Sequence, residues 1–204
     1  ADANADDTLD LFFAGWHDGE GSEASSQAFI SVRGSVRHQG SIGEDLPGTN
    51  GWKVIPGDVD GDGIVDLVTL TWQDVVSSSW ETTGRAMYGS DATYPAWGTA
   101  NSRLLPSLGS GNGILADLNL DGIDDVVVPG YVDDNGPSDP GTTLWFGRAE
   151  GLSTGSTFSL DTPNARSVAV GDLDADGLPD LVFLGSADQD SSAAASVYLA
   201  AEIP

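Results

Sequence analysis

The stretch GDVDGDGIVDLV, residues 57–68, crowds four aspartates around its glycines: Asp58, Asp60, Asp62 and Asp66. Carboxylates at this spacing repel one another, so a single copy allows two interpretations. One is an acidic, solvated turn, since Asp and Gly are ordinary turn residues. The other is a loop that binds a cation among its carboxylates.

The same pattern occurs four times along the 204 residues. DANADDTLD (2–10), DLNLDGIDD (117–125) and DLDADGLPD (172–180) share with residues 58–66 the form D-x-[DN]-x-D-x-x-x-D, and an apolar run follows each copy. The copies start 56, 59 and 55 residues apart. Such recurrence is the signature of a repeat architecture, and it favours the cation-binding interpretation over the plain turn.

Short apolar runs surround each loop at similar offsets. A run precedes the last three loops, a second follows every loop, a third comes about twenty residues later, and a fourth closes the first three units. No segment shows a helical period over three turns. The pattern therefore predicts an all-β fold of three, four, four and three antiparallel strands in successive units.

A unit of this size with four strands matches one blade of a β-propeller. The runs after the loops are apolar at consecutive positions, which is typical of strands buried on both faces between neighbouring sheets. We therefore expect a single repeat domain over residues 1–204, with about 3.5 to 4 blades at approximately 1–50, 51–110, 111–165 and 166–204.

The charge of the chain narrows the classes of partner. It has 32 acidic and 7 basic residues, a formal net charge of -25 and no cysteine. Nucleic acid and anionic membrane surfaces require clusters of Lys and Arg, and no apolar run is long enough to insert into a membrane. Sixteen of the acids lie in the four loops, while salt adaptation or simple solvation remains open for the others.

Side-chain oxygens at positions 1, 3 and 5 of a tight loop converge, and the backbone carbonyl at position 7 can add a further oxygen. Hard cations with six to eight oxygen ligands, above all Ca²⁺, fit such a loop. Position 12, where an EF-hand has its Glu, is apolar or small here, and the last acid stands at position 9 just before a strand. The loop is therefore related to an EF-hand loop but lies between strands.

The expected calcium ligands, with the position-7 carbonyl fourth in each set, are Asp58, Asp60, Asp62, Ile64 and Asp66; Asp117, Asn119, Asp121, Ile123 and Asp125; Asp172, Asp174, Asp176, Leu178 and Asp180; and Asp2, Asn4, Asp6, Thr8 and Asp10. The last of these sets is expected to bind most weakly. It has Asp7 where the others have glycine, and a positive φ costs Asp more than Gly.

The loops, together with LWFGRAEGLS at 144–153, resemble FG-GAP or VCBS-type repeats, the blades of integrin-α-like β-propellers. The resemblance implies that each loop joins the first two strands of a blade and binds calcium. It also implies seven or eight blades in a complete ring. This chain supplies fewer, so it is expected to be a fragment, to assemble with other chains into a ring, or to close as a compact four-bladed ring.

Few residues offer other chemistry. Only His17 and His38 could act as acid or base near neutral pH, and no nucleophile elbow or phosphate-binding loop occurs. Exposed aromatic side chains on loops could bind a sugar or a protein. The candidates are Trp16, Trp72, Trp80, Tyr94 and Trp97, and the alternative for all six tryptophans, Trp52 and Trp145 included, is packing between blades.

These observations predict a non-catalytic, calcium-binding propeller module that binds a protein or carbohydrate ligand in adhesion. It is expected to be secreted, periplasmic or at the cell surface, with no nucleic-acid partner and no membrane insertion. The alternatives are a lectin, a structural subunit of a larger assembly, and the propeller part of a polysaccharide-degrading enzyme.

Overall fold

The computed structural model describes residues 1–14, 26–32, 35–42, 49–74, 81–90, 97–108, 112–131, 141–153, 155, 157–162, 164–185 and 195–200. Within these ranges the chain forms fourteen β-strands, no α-helix and a 3₁₀ turn at Thr99–Asn101. His17, Trp16, Trp80 and Tyr94 lie outside the described residues, as do the side chains of His38, Trp52 and Trp72.

The strands form four antiparallel sheets in which each strand pairs with the next along the chain. The first sheet comprises β1 (Leu11–Phe13), β2 (Ser26–Val32) and β3 (Ser35–Ile42). The second comprises β4 (Thr49–Gly57), β5 (Asp66–Asp74), β6 (Glu81–Met87) and β7 (Ser102–Leu108).

The third sheet comprises β8 (Ile114–Ala116), β9 (Asp125–Pro129), β10 (Thr142–Trp145) and β11 (Thr157–Leu160). The fourth comprises β12 (Ala165–Gly171), β13 (Asp180–Gly185) and β14 (Ala195–Tyr198). The predicted all-β fold, with three, four, four and three strands, is therefore confirmed for the described part of the chain.

Successive sheets pack face to face through apolar clusters. The cluster between the second and third sheets contains Val68 and Leu70 from β5, Val126 and Val128 from β9, and Trp145. Burying each such side chain contributes about 1.5–3 kcal/mol. The consecutive apolar runs bury both faces because a sheet lies on either side of them.

The other two packing layers have the same organisation. Between the third and fourth sheets, Val127 packs with Leu181 and Phe183. Between the first and second, Phe12 packs near Leu67. The burial of these sheets against their neighbours is the arrangement expected of stacked propeller-like blades.

Polar contacts also join the second and third sheets. The ammonium group of Lys53, the one lysine of the sequence, donates to the Gly113 carbonyl at 2.8 Å, and burial lowers the pKa of this group. The Leu152 N–H donates to the Tyr88 hydroxyl at 2.9 Å. Among the described residues, no helix has the length and hydropathy needed to cross a membrane.

Candidate metal centre

Three of the four Asp loops connect the first two strands of a sheet, and the loop at 2–10 leads directly into β1. The loop at 58–65 joins β4 to β5, the loop at 117–124 joins β8 to β9, and the loop at 172–179 joins β12 to β13. Because each connection is short and the sheets stack in order, the loops recur at the same place in successive sheets.

The first aspartate of each loop accepts hydrogen bonds from the backbone of its own turn. Asp58 takes the N–H groups of Gly61 and Gly63, at 2.7 and 2.9 Å, one on each carboxylate oxygen. These donors stand at positions 4 and 6, whereas Asp2, Asp117 and Asp172 accept from the residues at positions 5 and 6. Each carboxylate oxygen has two lone pairs, so it retains one that can face a cation.

The side chains at positions 3 and 5 also accept hydrogen bonds from the backbone of their own loop. In the second loop, Asp60 accepts the Asp62 N–H at 3.2 Å and Asp62 accepts the Ile64 N–H at 2.7 Å. In the third loop the Asn119 oxygen accepts the Asp121 N–H at 3.0 Å. These bonds fix the side chains near one another despite their mutual repulsion.

Two positions in every loop have the left-handed backbone conformation. At position 6 the φ values are 63° for Asp7 and 81–88° for the three glycines. At position 4 Gly61, Ala5, Leu120 and Ala175 also have positive φ, between 52° and 70°. The sequence indicated the first requirement but not the second, since only Gly61 hints at it and the other copies place ordinary residues there.

The aspartate at position 9 has a structural role that the ligand pattern did not predict. Asp66 is fully buried and accepts the Val59 N–H at 2.9 Å and the Gly89 N–H at 2.7 Å. Asp125 and Asp180 make the corresponding pairs of bonds, and Asp10 accepts the Ala3 N–H. In the last three sheets this carboxylate therefore ties the start of its loop to the end of the third strand.

The partner of this aspartate beyond the third strand is a glycine in two sheets. A Cβ added at Gly89 would lie 2.7 Å from the Val65 carbonyl oxygen, and one at Gly147 would meet the backbone of Asp124. The close approach of the chain to its own loop explains the glycine of AMYG and LWFG. Ala200 occupies the equivalent place in the fourth sheet.

Two groups of the predicted ligands converge. Asp58, Asp60 and Asp66 bring one carboxylate oxygen each within 4.8 Å of one another, and Asp172, Asp174 and Asp176 do the same. Ligands on opposite sides of a Ca²⁺ ion stand about 5 Å apart, since each lies 2.3–2.6 Å from it. The all-oxygen donor set and its spacing thus fit calcium. Asp62 and Asp180 lie outside these groups.

The remaining predicted ligands stay predictions. The loops at 2–10 and 117–125 have Asn4 and Asn119 at position 3, so they have three carboxylates at the predicted side-chain ligand positions where the other two loops have four. The carbonyl groups of Thr8, Ile64, Ile123 and Leu178 follow directly on the position-6 turn in each loop.

Burial changes the ionisation of the position-9 aspartates. It raises the pKa of Asp66 to about 7 and that of Asp125 to about 6, against the opposing effect of the two N–H donors. Burial, followed by repulsion from Asp62, also raises the pKa of Asp60. Without a cation, the fold therefore disfavours the charged form of these groups.

We expect the calcium-free chain to become less stable as pH rises from 5 to 8. Asp66 and Asp125 hold protons more tightly folded than unfolded, where an Asp pKa is about 3.9. The stability they contribute is full below that value and is lost as pH rises through the folded values of about 6 and about 7. Thermal melts in chelator at both pH values measure it, with calcium-saturated protein as control. A higher melting temperature at pH 8 in chelator would contradict this.

A direct contact links the second and third loops. The Asp58 N–H donates to the Asp124 carboxylate at 2.9 Å, and the Asp124 N–H donates to the Asp58 carbonyl at 2.8 Å. Asp124 occupies position 8, which the ligand pattern leaves unassigned. Pro179 stands at this position in the loop at 172–180 and has no N–H to donate.

Trp97, one of the candidate ligand-binding aromatic residues, and Trp145 both lie between sheets. The Trp97 indole N–H donates to the Val65 carbonyl at 2.8 Å, and its ring packs edge-on against Phe12, with centroids 5.7 Å apart. Trp145 is buried in the cluster between the second and third sheets. Both side chains therefore stabilise the stack of sheets, and neither is presented as an open surface for a ligand.

The part of the chain that contains the third and fourth loops is similar to a known family of repeats. Residues 117–183 match the family model described as FG-GAP-like repeat. The match begins at the first aspartate of the third loop and ends within β13, so it includes two of the four loops. The resemblance to FG-GAP repeats is confirmed for this stretch. No curated protein matches the chain.

Proposed function

Since residues 117–183 are an FG-GAP-like repeat, a type of repeat typical of extracellular adhesion modules, we propose that this chain is a calcium-stabilised, non-catalytic module that binds a protein or glycan outside the cell. The observation that carries the proposal is the recurrence of one loop geometry in four successive places. A catalytic pair of carboxylates would be unique in the fold, whereas these loops are equivalent.

Calcium has a structural role in this proposal. The ion would lie among the side-chain oxygens of positions 1, 3, 5 and 9 and offset the repulsion between the carboxylates, and four ions would change the formal charge from -25 to -17. Because the position-9 carboxylate also holds the third strand, occupancy of a loop would stiffen the whole sheet. Metal binding and folding are coupled in such sites.

The loop-to-loop contact through Asp124 supports a rigid rather than a mobile surface. It fixes the second and third loops relative to each other, so any ligand would meet a preformed arrangement. The cost of ordering a binding surface is lowest when the surface is already rigid.

We expect calcium titration by calorimetry to reveal three strong sites and a weaker fourth. Magnesium should compete poorly, because it requires a smaller octahedral cage and retains its water. Asp172→Asn with Asp174→Asn should remove one strong site, while Asp161→Asn, an exposed acid outside the loops, should leave the number unchanged. A chain that takes up no calcium would contradict the metal-binding proposal. A glycan array then distinguishes sugar from protein as ligand.

A further inference from the structure

Each sheet has two faces that differ in what they contact. On the strand that follows each loop, side chains alternate between the two faces of the sheet. We call the face that carries the second and fourth residues after the position-9 aspartate the forward face. The face that carries the first and third residues after it is the rear face. Val68 and Leu70, on the forward face of the second sheet, pack on Val126 and Val128, on the rear face of the third. The forward face of one sheet therefore packs on the rear face of the next sheet along the chain.

The two other layers follow the same rule. Val127 on the forward face of the third sheet packs with Leu181 and Phe183 on the rear face of the fourth. Phe12, on the forward face of the first sheet, packs near Leu67 on the rear face of the second. One kind of interface thus occurs three times in the chain.

Among the described residues, the fourth sheet has an open forward face. Leu184 is 57% exposed, while its equivalent Leu70 is fully buried. Val197 on the neighbouring strand is 52% exposed and pairs with Val182, and Ala195 pairs with Leu184. This surface is apolar and bears no charged side chain at these positions.

The first sheet has an open rear face at the residues of β1 that the structure describes. Leu11 is 49% exposed, whereas its equivalents Leu67, Val126 and Leu181 are fully buried. Phe13, two residues further along, is 53% exposed. The residue types are those that the same position buries elsewhere in the chain.

We propose that the open forward face of one copy packs on the open rear face of a second copy. In the described residues, every other forward face is covered by the rear face of a neighbouring sheet. We therefore expect the open forward face to be covered by a rear face too, and a second copy of the chain carries an open one. An interface between unlike faces closes into a ring when the rotation between copies permits it. Two copies supply eight sheets, within the range of known propellers.

Charge sets the conditions for this association. Each copy carries -25, so two copies repel at low ionic strength and in the absence of calcium. The contact itself is apolar and gains from burial. Association should therefore strengthen when salt shortens the screening length and when calcium offsets the loop charges.

Sedimentation equilibrium, which measures the mass in solution, tests this proposal. The protein is measured with calcium at about 0.15 M NaCl, which is roughly physiological, and at about 1 M NaCl, which screens charge strongly. The expected mass is that of two copies. Leu184→Asp and Leu11→Asp should each weaken association about 100-fold or more, because each would bury a charge without a partner. Leu104→Asp is the control, since Leu104 is 48% exposed on β7, away from both open faces. This variant adds the same charge as the other two, and its mass should remain that of two copies.

Mixing separates this arrangement from a symmetric one. The Leu184→Asp chain keeps its rear face and the Leu11→Asp chain keeps its forward face, so a mixture should recover a pair that neither forms alone. If only one variant dissociates, like faces pack together and the proposal is wrong. A wild-type chain that stays single at all concentrations, or that grows into ever larger species, overturns it as well. Circular dichroism checks that each variant is folded.

Discussion

Removing calcium will lower the thermal unfolding midpoint of this chain by about 15–30 °C. An ion at 100 times its dissociation constant stabilises a folded protein by about 2.7 kcal/mol, so three well-formed sites contribute about 8 kcal/mol. For a chain of this length, each kcal/mol shifts the midpoint by roughly 2–4 °C. The expected physical source is the repulsion among loop carboxylates, which a bound cation would offset.

Circular dichroism melts with excess calcium and with a chelator measure this effect. The total is comparable to the whole stability of an ordinary domain, about 5–15 kcal/mol, so the calcium-free chain should be close to unfolding at room temperature. Magnesium in place of calcium should restore only part of the stability, and 1 M NaCl in chelator should restore a part by screening. An unchanged midpoint on chelation would refute a structural role for calcium.

Asp66→Ala will destabilise the chain in both the presence and the absence of calcium. The carboxylate is fully buried and accepts two backbone N–H groups. Its removal leaves both donors buried without an acceptor, at about 1–3 kcal/mol each. We therefore expect the midpoint to fall by roughly 5–20 °C, and further in calcium because a ligand is also lost.

Asp62→Ala is the matched control for this variant. Asp62 is exposed and accepts a hydrogen bond only within its own loop. Its replacement should therefore lower the stability of the protein in calcium and change it little in chelator. Urea unfolding in chelator with 1 M NaCl allows the calcium-free forms to be compared. Equal losses for the two variants in both media would show that Asp66 acts only as a ligand and does not anchor the third strand.

The strand pattern could be predicted from the sequence because its signals are local. Each Asp loop is a turn of fixed length, and the apolar runs on both sides, such as Val126–Val128, have high strand propensity. Recurrence at 55–59 residues supplied the units. Since each strand pairs with its neighbour along the chain, no long-range information was needed for the order within a sheet.

The site could be predicted only in part. Residue type predicted an acidic cluster in each loop, and two of the loops bring three carboxylates together, from positions 1, 3 and 9 in the second loop and from positions 1, 3 and 5 in the fourth. The left-handed backbone at Leu120 and Ala175 was not evident, because these residue types do not signal a positive φ. Nor was Asp124, whose partner lies 66 residues earlier in the chain.

By itself, then, the sequence determined the all-β class, the strand order within each sheet and the place of every acidic loop, since all depend on residues close together in the chain. Only the tertiary structure decided which face of a sheet is covered, that Asp66 reaches Gly89 at the end of another strand, and that Trp97 packs between sheets. These depend on distances between residues far apart in sequence. The same reason makes Leu11 and Leu184 informative, because their residue types match buried equivalents while their positions in the stack leave them exposed.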